Sequence, residues 1–153
     1  MKIFVSSDHA GFIKKNELIE KLEKSKKHNE IYDMGPYMLD PNDDYPLYAS
    51  KVAIAVSENH GSLGILVCKS GEGMAIAANK IKGIRAVSAN NESLAKLSRR
   101  DNDSNILSLS AKELSDKEIF DIVSIWLSTP FSGLARHKRR IEEISQLEEG
   151  KML

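Results

Sequence analysis

A three-layer α/β fold, built on a doubly wound parallel sheet of five strands with an extra helix at the C-terminus, is what this 153-residue sequence predicts. Three observations predict it. Short apolar runs alternate with helix-period segments along the whole chain, the pattern of a parallel sheet covered on both faces. The strongest run, Leu63 to Cys68, carries no charge, as a strand buried on both sides requires. No repeat, linker or low-complexity tract divides the chain, so residues 1–153 are expected to form a single domain.

The elements follow in order. Ile3-Phe4-Val5 reads as the first strand and Asp8-His9-Ala10-Gly11 as the turn after it. A helix is expected from about Phe12 to Ser25, with Leu18, Ile19 and Leu22 on one face. Glu30 to Asp33 is a weaker second strand, ended by Gly35-Pro36. The polar loop Asp40-Pro41-Asn42-Asp43-Asp44 leads into a helix whose apolar face holds Tyr48, Val52, Ala55 and Val56. Leu63 to Cys68 is the third strand, followed by a glycine-containing loop and a helix through about Lys80. Arg85–Ser88 and Asn105–Leu109 read as the fourth and fifth strands. Helices fit Ser93 to Arg100, Asp116 to Leu127 and, at the end, Ala135 to Leu147. Of the two common Rossmann-like orders, the flavodoxin-like 2-1-3-4-5 is expected, with its ligand crevice at the carboxyl ends of strands one and three. Those ends are Asp8-His9 and Cys68 to Gly73.

Composition narrows the function classes. Hydrophobic residues make up 41% and charged residues 29%, the balance of a soluble globular domain. Lys+Arg and Asp+Glu both number 22, which gives nucleic acid or an anionic membrane no overall attraction. The apolar run near Met1 is too short for the core of a signal peptide, and no run reaches the roughly 18 residues of a membrane span. The single cysteine excludes an intrachain disulfide and fits a reducing, cytoplasmic setting.

That cysteine, Cys68, is by default a small core residue at the end of an apolar strand. Its context adds chemistry. Ser70-Gly71-Glu72-Gly73 turns at once toward a helix, so backbone N–H groups converge where the strand ends. A thiol there is expected to ionise more easily than a free one, which makes Cys68 a candidate base, nucleophile or redox thiol. The Ser70 hydroxyl and the amides of Gly71 to Gly73 suit a developing oxyanion. Glu72 is a rival base, although an acidic residue at a helix start has a plain structural reading. Asp8 is either a turn cap or, with His9, a binding pair at the crevice. Arg136 and Arg140, spaced i,i+4, put two guanidinium forks on one helix face, as a phosphate dianion requires; Glu142 and Glu143 follow at once and argue against nucleic acid.

Taken in order, Ser7-Asp8-His9-Ala10-Gly11, Asp44-Tyr45-Pro46, Cys68 to Lys80, Gly83-Ile84-Arg85-Ala86, Ser98-Arg99, Asn102-Asp103 and Arg136-His137 with Arg139-Arg140 resemble the ribose-5-phosphate isomerase B family, which includes galactose-6-phosphate isomerase subunits. The resemblance spans nearly the whole chain. It implies an aldose–ketose isomerase without metal or cofactor that interconverts ribose 5-phosphate and ribulose 5-phosphate through an enediolate. It implies Cys68 as base, because the family's alternative glutamate position holds Met74. Ser70 and the loop amides then hold the enediolate, Asp8, Tyr45 and Asn102 meet the sugar, and His9, Lys112, Arg136 and Arg140 hold the phosphate. It also implies homodimers or tetramers with each site formed between two subunits. Three positions depart from the family pattern. Lys69 replaces a glycine, which strains a backbone of positive φ, or brings its charge inward toward the thiol. Asp101 replaces a histidine credited with opening the furanose ring; an ionised carboxyl is a poor proton donor, although near the crevice it would serve as a base. Lys112 replaces an arginine, a point charge in place of a fork. Two other readings stay open: an isomerase of a six-carbon sugar phosphate, such as allose or galactose 6-phosphate, and a catalytically silent sugar-phosphate-binding subunit.

Overall fold

The computed structural model describes residues 1–25 and 29–153. Among them, β1 (Lys2–Ser7), β2 (Glu30–Asp33), β3 (Leu63–Cys68), β4 (Ala86–Ser88) and β5 (Ile106–Ser110) form one sheet in which every neighbouring pair runs parallel. The helices are α1 (Phe12–Lys24), α2 (Tyr45–Glu58), α3 (Glu72–Ala78), α4 (Glu92–Asn102), α5 (Asp116–Ser128) and α6 (Ala135–Glu148). Every expected element is present, and β3 has the expected bounds.

The strand order differs from expectation. It is β2-β1-β3-β5-β4, so β5 lies inside the sheet and β4 at its edge. Burial explains the exchange. All of β5 is buried, whereas β4 is a three-residue strand whose last residue is exposed, and short strands suit edges. Handedness agrees. Right-handed crossovers place helices of rightward and leftward connections on opposite faces. The leftward return from β4 to β5 therefore puts α4 on the face of α1, where it packs on α5, while α2 and α3 pack together on the other face. One core layer joins Leu18, Ala95, Ile122 and Trp126 to the sheet; the other joins Val52, Met74 and Ala78 to it.

Two motif pieces brace this architecture. The Asn79 side chain donates to the Ala86 carbonyl at 2.8 Å and accepts from its N–H at 2.7 Å, which ties α3 to the edge strand. Asp103, in the left-handed conformation at φ 47°, ends α4 and pairs with both Arg85 and Arg99. These residues hold the amino edge of the sheet.

The β1–β3 switch survives the new order, and a glycine makes it tight. Asp8 N–H donates to the Val67 carbonyl at 3.3 Å, and the 3-10 turn His9–Gly11 folds directly over the end of β3. A Cβ on Gly11 would lie 2.1 Å from the Val67 oxygen. Relieving that clash means moving backbone, not a side chain. Gly11→Ala is therefore expected to lower unfolding stability by about 3 kcal/mol in urea titrations, at the upper end of ordinary overpacking. Unchanged stability would show that the turn is not packed this closely.

Candidate active site

Cys68 ends β3 with its sulfur buried. The Gly71 N–H donates to Sγ at 3.1 Å, and the amides of Met74 and Ser70 also act on it. The turn that aims them depends on Gly71, at φ 84°, where a Cβ would meet Ser88 Oγ at 3.0 Å and the Leu109 carbonyl carbon at 3.1 Å. Ser108 Oγ fixes the Gly71 carbonyl at 2.6 Å.

These amides do not make the thiol acidic, which corrects the expectation from sequence. Burial pushes the Cys68 thiol up, and the nearby Asp8 carboxylate adds to that; together they outweigh the amides. The resting group is a thiol. Its conjugate base, once formed, is correspondingly strong.

Asp8 caps the turn and lies near the Cys68 sulfur. Its Oδ1 accepts the Gly11 N–H at 3.0 Å, and burial pushes its own carboxyl up. His9 is turned toward the loop before α2. Its Nδ1 lies 2.6 Å from Asp43 Oδ1, and its backbone N–H donates to the same oxygen at 3.1 Å. That hydrogen bond raises the imidazole pKa, with the charges of Asp43, Asp8 and Asp40 acting in the same sense. Asp43 was not singled out from the sequence, where it is one of three acidic residues in a polar loop; its place directly before the Asp44-Tyr45-Pro46 motif was the available signal. Tyr45, at the start of α2, lies against Gly73, where a Cβ would be 2.9 Å from its Cζ.

The Ser70–Gly73 loop offers fewer oxyanion donors than expected. The Gly71 N–H is spent on the sulfur, and the Glu72 N–H donates to Ser70 Oγ at 3.3 Å. The Ser70 hydroxyl and the Gly73 N–H are left without an acceptor among the described residues. Glu72 is an exposed residue in the first turn of α3, in line with its structural reading, and Met74 is fully buried in the core.

Beside this loop, at the carboxyl ends of β3, β5 and β4, a cleft of about 520 Å³ is lined by Lys69, Ser70, Glu72, Ser88, Ser110 and Lys112. The Lys69 carbonyl accepts Ser110 Oγ at 2.8 Å and the Lys112 N–H at 3.2 Å. Lys69 does not have a positive φ, so it carries no strain, and its side chain is exposed rather than turned inward on the thiol. The expectation of strain or an inward charge is corrected on both counts.

Asp101, Asn102, Arg136 and Arg140 lie elsewhere. Asp101 and Asn102 end α4, just before β5 begins. Since Ile106 is level with Gly64 and Ser110 with Cys68, they sit at the amino edge of the sheet. The length of β5 alone, about 13 Å at ~3.3 Å per residue, separates them from the sulfur. The start of α6 docks there too: Ser132 N–H donates to the Arg100 carbonyl at 2.9 Å, and buried His137 lies 3.8 Å from Asp101. Arg136 and Arg140 are both exposed on α6. Within one chain Asp101 is therefore not a base near the crevice. Arg100 grips both of its oxygens, at 2.7 and 3.1 Å, and holds its carboxyl below the usual range. It is a settled carboxylate, not a proton donor.

Among the described residues, no helix is long and apolar enough to cross a membrane. The family model described as Ribose/Galactose Isomerase matches residues 3–144. The chain is 42% identical over 147 residues to the probable ribose-5-phosphate isomerase B of Mycoplasma genitalium, covering 95% of each protein. It is 39% identical to the ribose-5-phosphate isomerase B of Escherichia coli, covering 97% of each. Among solved structures, the Mycoplasma genitalium enzyme with bound ribulose-5-phosphate superposes with a TM-score of 0.93 at 39% identity, over 98% of this chain and 97% of that one. The Clostridium thermocellum ribose-5-phosphate isomerase B superposes at 0.92, also 39% identical, over 98% and 99%. Fold, site and similarity converge: the chain belongs to the ribose/galactose isomerase family.

Proposed function

We propose that this chain interconverts ribose 5-phosphate and ribulose 5-phosphate through an enediolate, with Cys68 as the base, in the cytoplasm. The observation that carries the assignment is the Cys68 sulfur itself, held by loop amides beside Asp8 at the β1–β3 crevice. A close relative of the same family is a ribose-5-phosphate isomerase B with bound ribulose-5-phosphate. The thiolate takes the proton from the carbon next to the carbonyl and becomes S–H. The hydroxyl proton passes from O2 to O1, and the enediolate takes the carbon proton back from S–H at the neighbouring carbon as the new carbonyl forms. The Ser70 hydroxyl and the Gly73 N–H hold the charge that develops on oxygen meanwhile. Asp8 and Tyr45 meet the sugar hydroxyls, and Lys69, Gly71 and Glu72 shape the wall of the site. A strongly basic sulfur suits a weakly acidic carbon, and the cost is a small thiolate fraction at neutral pH.

The site is completed by a second copy of the chain. His9 and Lys112 lie at the carboxyl edge, whereas Arg136 and Arg140 lie with Asn102 at the other end of the same molecule. Two copies arranged to bring one molecule's amino edge over the other's crevice unite the phosphate-binding set. Apolar side chains left exposed on α3 and α6, Ile76, Ile144 and Leu147, supply surface for that contact. Asp101, paired with Arg100, does not open the furanose ring as an acid; the chain then works on the open-chain sugar or leaves ring opening to solvent.

A coupled assay is expected to show exchange between the two pentose phosphates, with lower kcat/KM on allose and galactose 6-phosphates; binding of both pentose phosphates without exchange would overturn the assignment. Cys68→Ser is expected to lower kcat by about 10²–10⁴-fold, and a variant of full rate would remove Cys68 as base.

The charge on Asp8 can be tested separately. Without that charge the thiol ionises more readily, so Asp8→Asn is expected to speed alkylation of Cys68 by iodoacetamide at pH 7. An unchanged or slower rate would contradict the coupling.

A further inference from the structure

The His9–Asp43 contact is more specific than a surface ion pair. One carboxylate oxygen receives both the backbone N–H and Nδ1 of the same residue, which fixes the main chain and the ring together. The Asp43 side chain is 4% exposed while that of His9 is 41% exposed, so a buried carboxylate reaches out to an accessible imidazole. Its other oxygen, Oδ2, is buried without a partner among the described residues. Burying a carboxylate with an oxygen unpaired is costly, and a solvated loop offers cheaper arrangements.

The loop is built to keep it there. Its start is pinned to β1 through the Gly35 carbonyl, which accepts the Ser7 N–H at 3.2 Å and Ser6 Oγ at 2.7 Å. Lys15, fully buried, bonds both Asp33 oxygens at 2.7 Å and the Pro36 carbonyl at 3.0 Å. At its end, Asp43 N–H donates to the Asp40 carbonyl at 3.2 Å, just before α2 begins.

We propose that Asp43 is a positioning residue: it orients His9 and keeps it as an imidazolium whose Nε2–H points at the anionic group of the substrate. This rests on the reading above that His9 takes the phosphate. The argument is one of tautomers. With Nδ1–H given to Asp43, a neutral ring would present Nε2 as a lone pair, which repels a phosphate oxygen. Only the protonated ring presents a donor there. Among the described residues, the charges that act on His9 are acidic: Asp43 and Asp40 from the loop and Asp8 from its own turn. They favour the protonated ring together, and Asp43 alone also fixes its direction.

Asn and Ala at position 43 separate the two roles. Asn keeps an oxygen for Nδ1–H but removes the charge, whereas Ala removes both. Asp43→Asn is expected to raise KM for ribose 5-phosphate by about tenfold at pH 8 and to leave it near the parent value at pH 6, with kcat changed less than KM. Asp43→Ala is expected to raise KM at both pH values. A KM change in Asp43→Asn that is independent of pH, or confined to kcat, would overturn the proposal.

The same proposal is read without turnover by proton NMR of the free protein, with the His9 ring assigned by its loss in His9→Gln. In the parent chain the ring is expected to titrate above the ordinary imidazole value, to titrate lower in Asp43→Asn, and to shift on addition of inorganic phosphate. A parent titration at or below the ordinary value overturns the proposal even where the variants fail to fold. If the parent chain isomerises neither pentose phosphate, the His9 titration still decides the role of Asp43, so the two failures are told apart.

Discussion

The structure depends on how closely the turn after β1 approaches the end of β3. Gly11 has no side chain, and the space a Cβ would need is filled by the Val67 carbonyl. The contact brings Asp8 and His9 beside Cys68, residues some sixty positions apart in sequence. It also fixes the charges: Asp8 is close enough to the sulfur to raise its basicity, and His9 is left at the rim, where the loop before α2 can reach it. A looser crossing would leave a buried cysteine and a capped turn with no shared chemistry.

Around that contact, opposing effects divide the work. Loop amides draw the sulfur toward ionisation while burial and a carboxylate resist it, and the balance leaves a thiol that is a strong base once deprotonated. A few residues away the same physics runs in the other direction, since acidic neighbours hold an imidazole in its charged form. The same acidic surroundings therefore favour the neutral form of the thiol and the charged form of the imidazole. The far edge of the sheet does a different job. Asp103 clamps Arg85 and Arg99, Arg100 holds Asp101, and Arg136 and Arg140, exposed on α6, make no carboxylate ion pair among the described residues.

Much of this was legible in the sequence, for physical reasons. A six-residue uncharged run such as Leu63–Cys68, with Gly61 before it and the Ser70–Gly73 turn after it, is short enough to read as a strand buried on both faces, and the alternation around it points to a covered parallel sheet. The β1–β3 crevice followed from topology, and it holds whichever way the last two strands are ordered. That order was not legible, because it rests on which of two short apolar segments is buried more completely. The direction of the Cys68 shift was missed because desolvation and the charge of Asp8 are properties of packing, not of spacing. Lys69 read as a source of strain, yet its backbone has an ordinary φ, and the left-handed turn falls two residues later at Gly71. Asp43 was hidden among three acidic loop residues; its place before Asp44-Tyr45-Pro46 hinted at it, and the fold of the loop singles it out.

The central claim is that Cys68 of one chain works with Arg136 and Arg140 of another. Mixing two inactive variants tests it most directly: Cys68→Ser, and the double variant Arg136→Ala/Arg140→Ala, unfolded and refolded together in equal amounts. If sites are shared between copies, the mixed dimers contain one site with every group intact, and the mixture should recover about a quarter of the parent activity on ribose 5-phosphate. Activity no higher than that of the two variants assayed separately would contradict a shared site and return the full set of catalytic groups to a single chain.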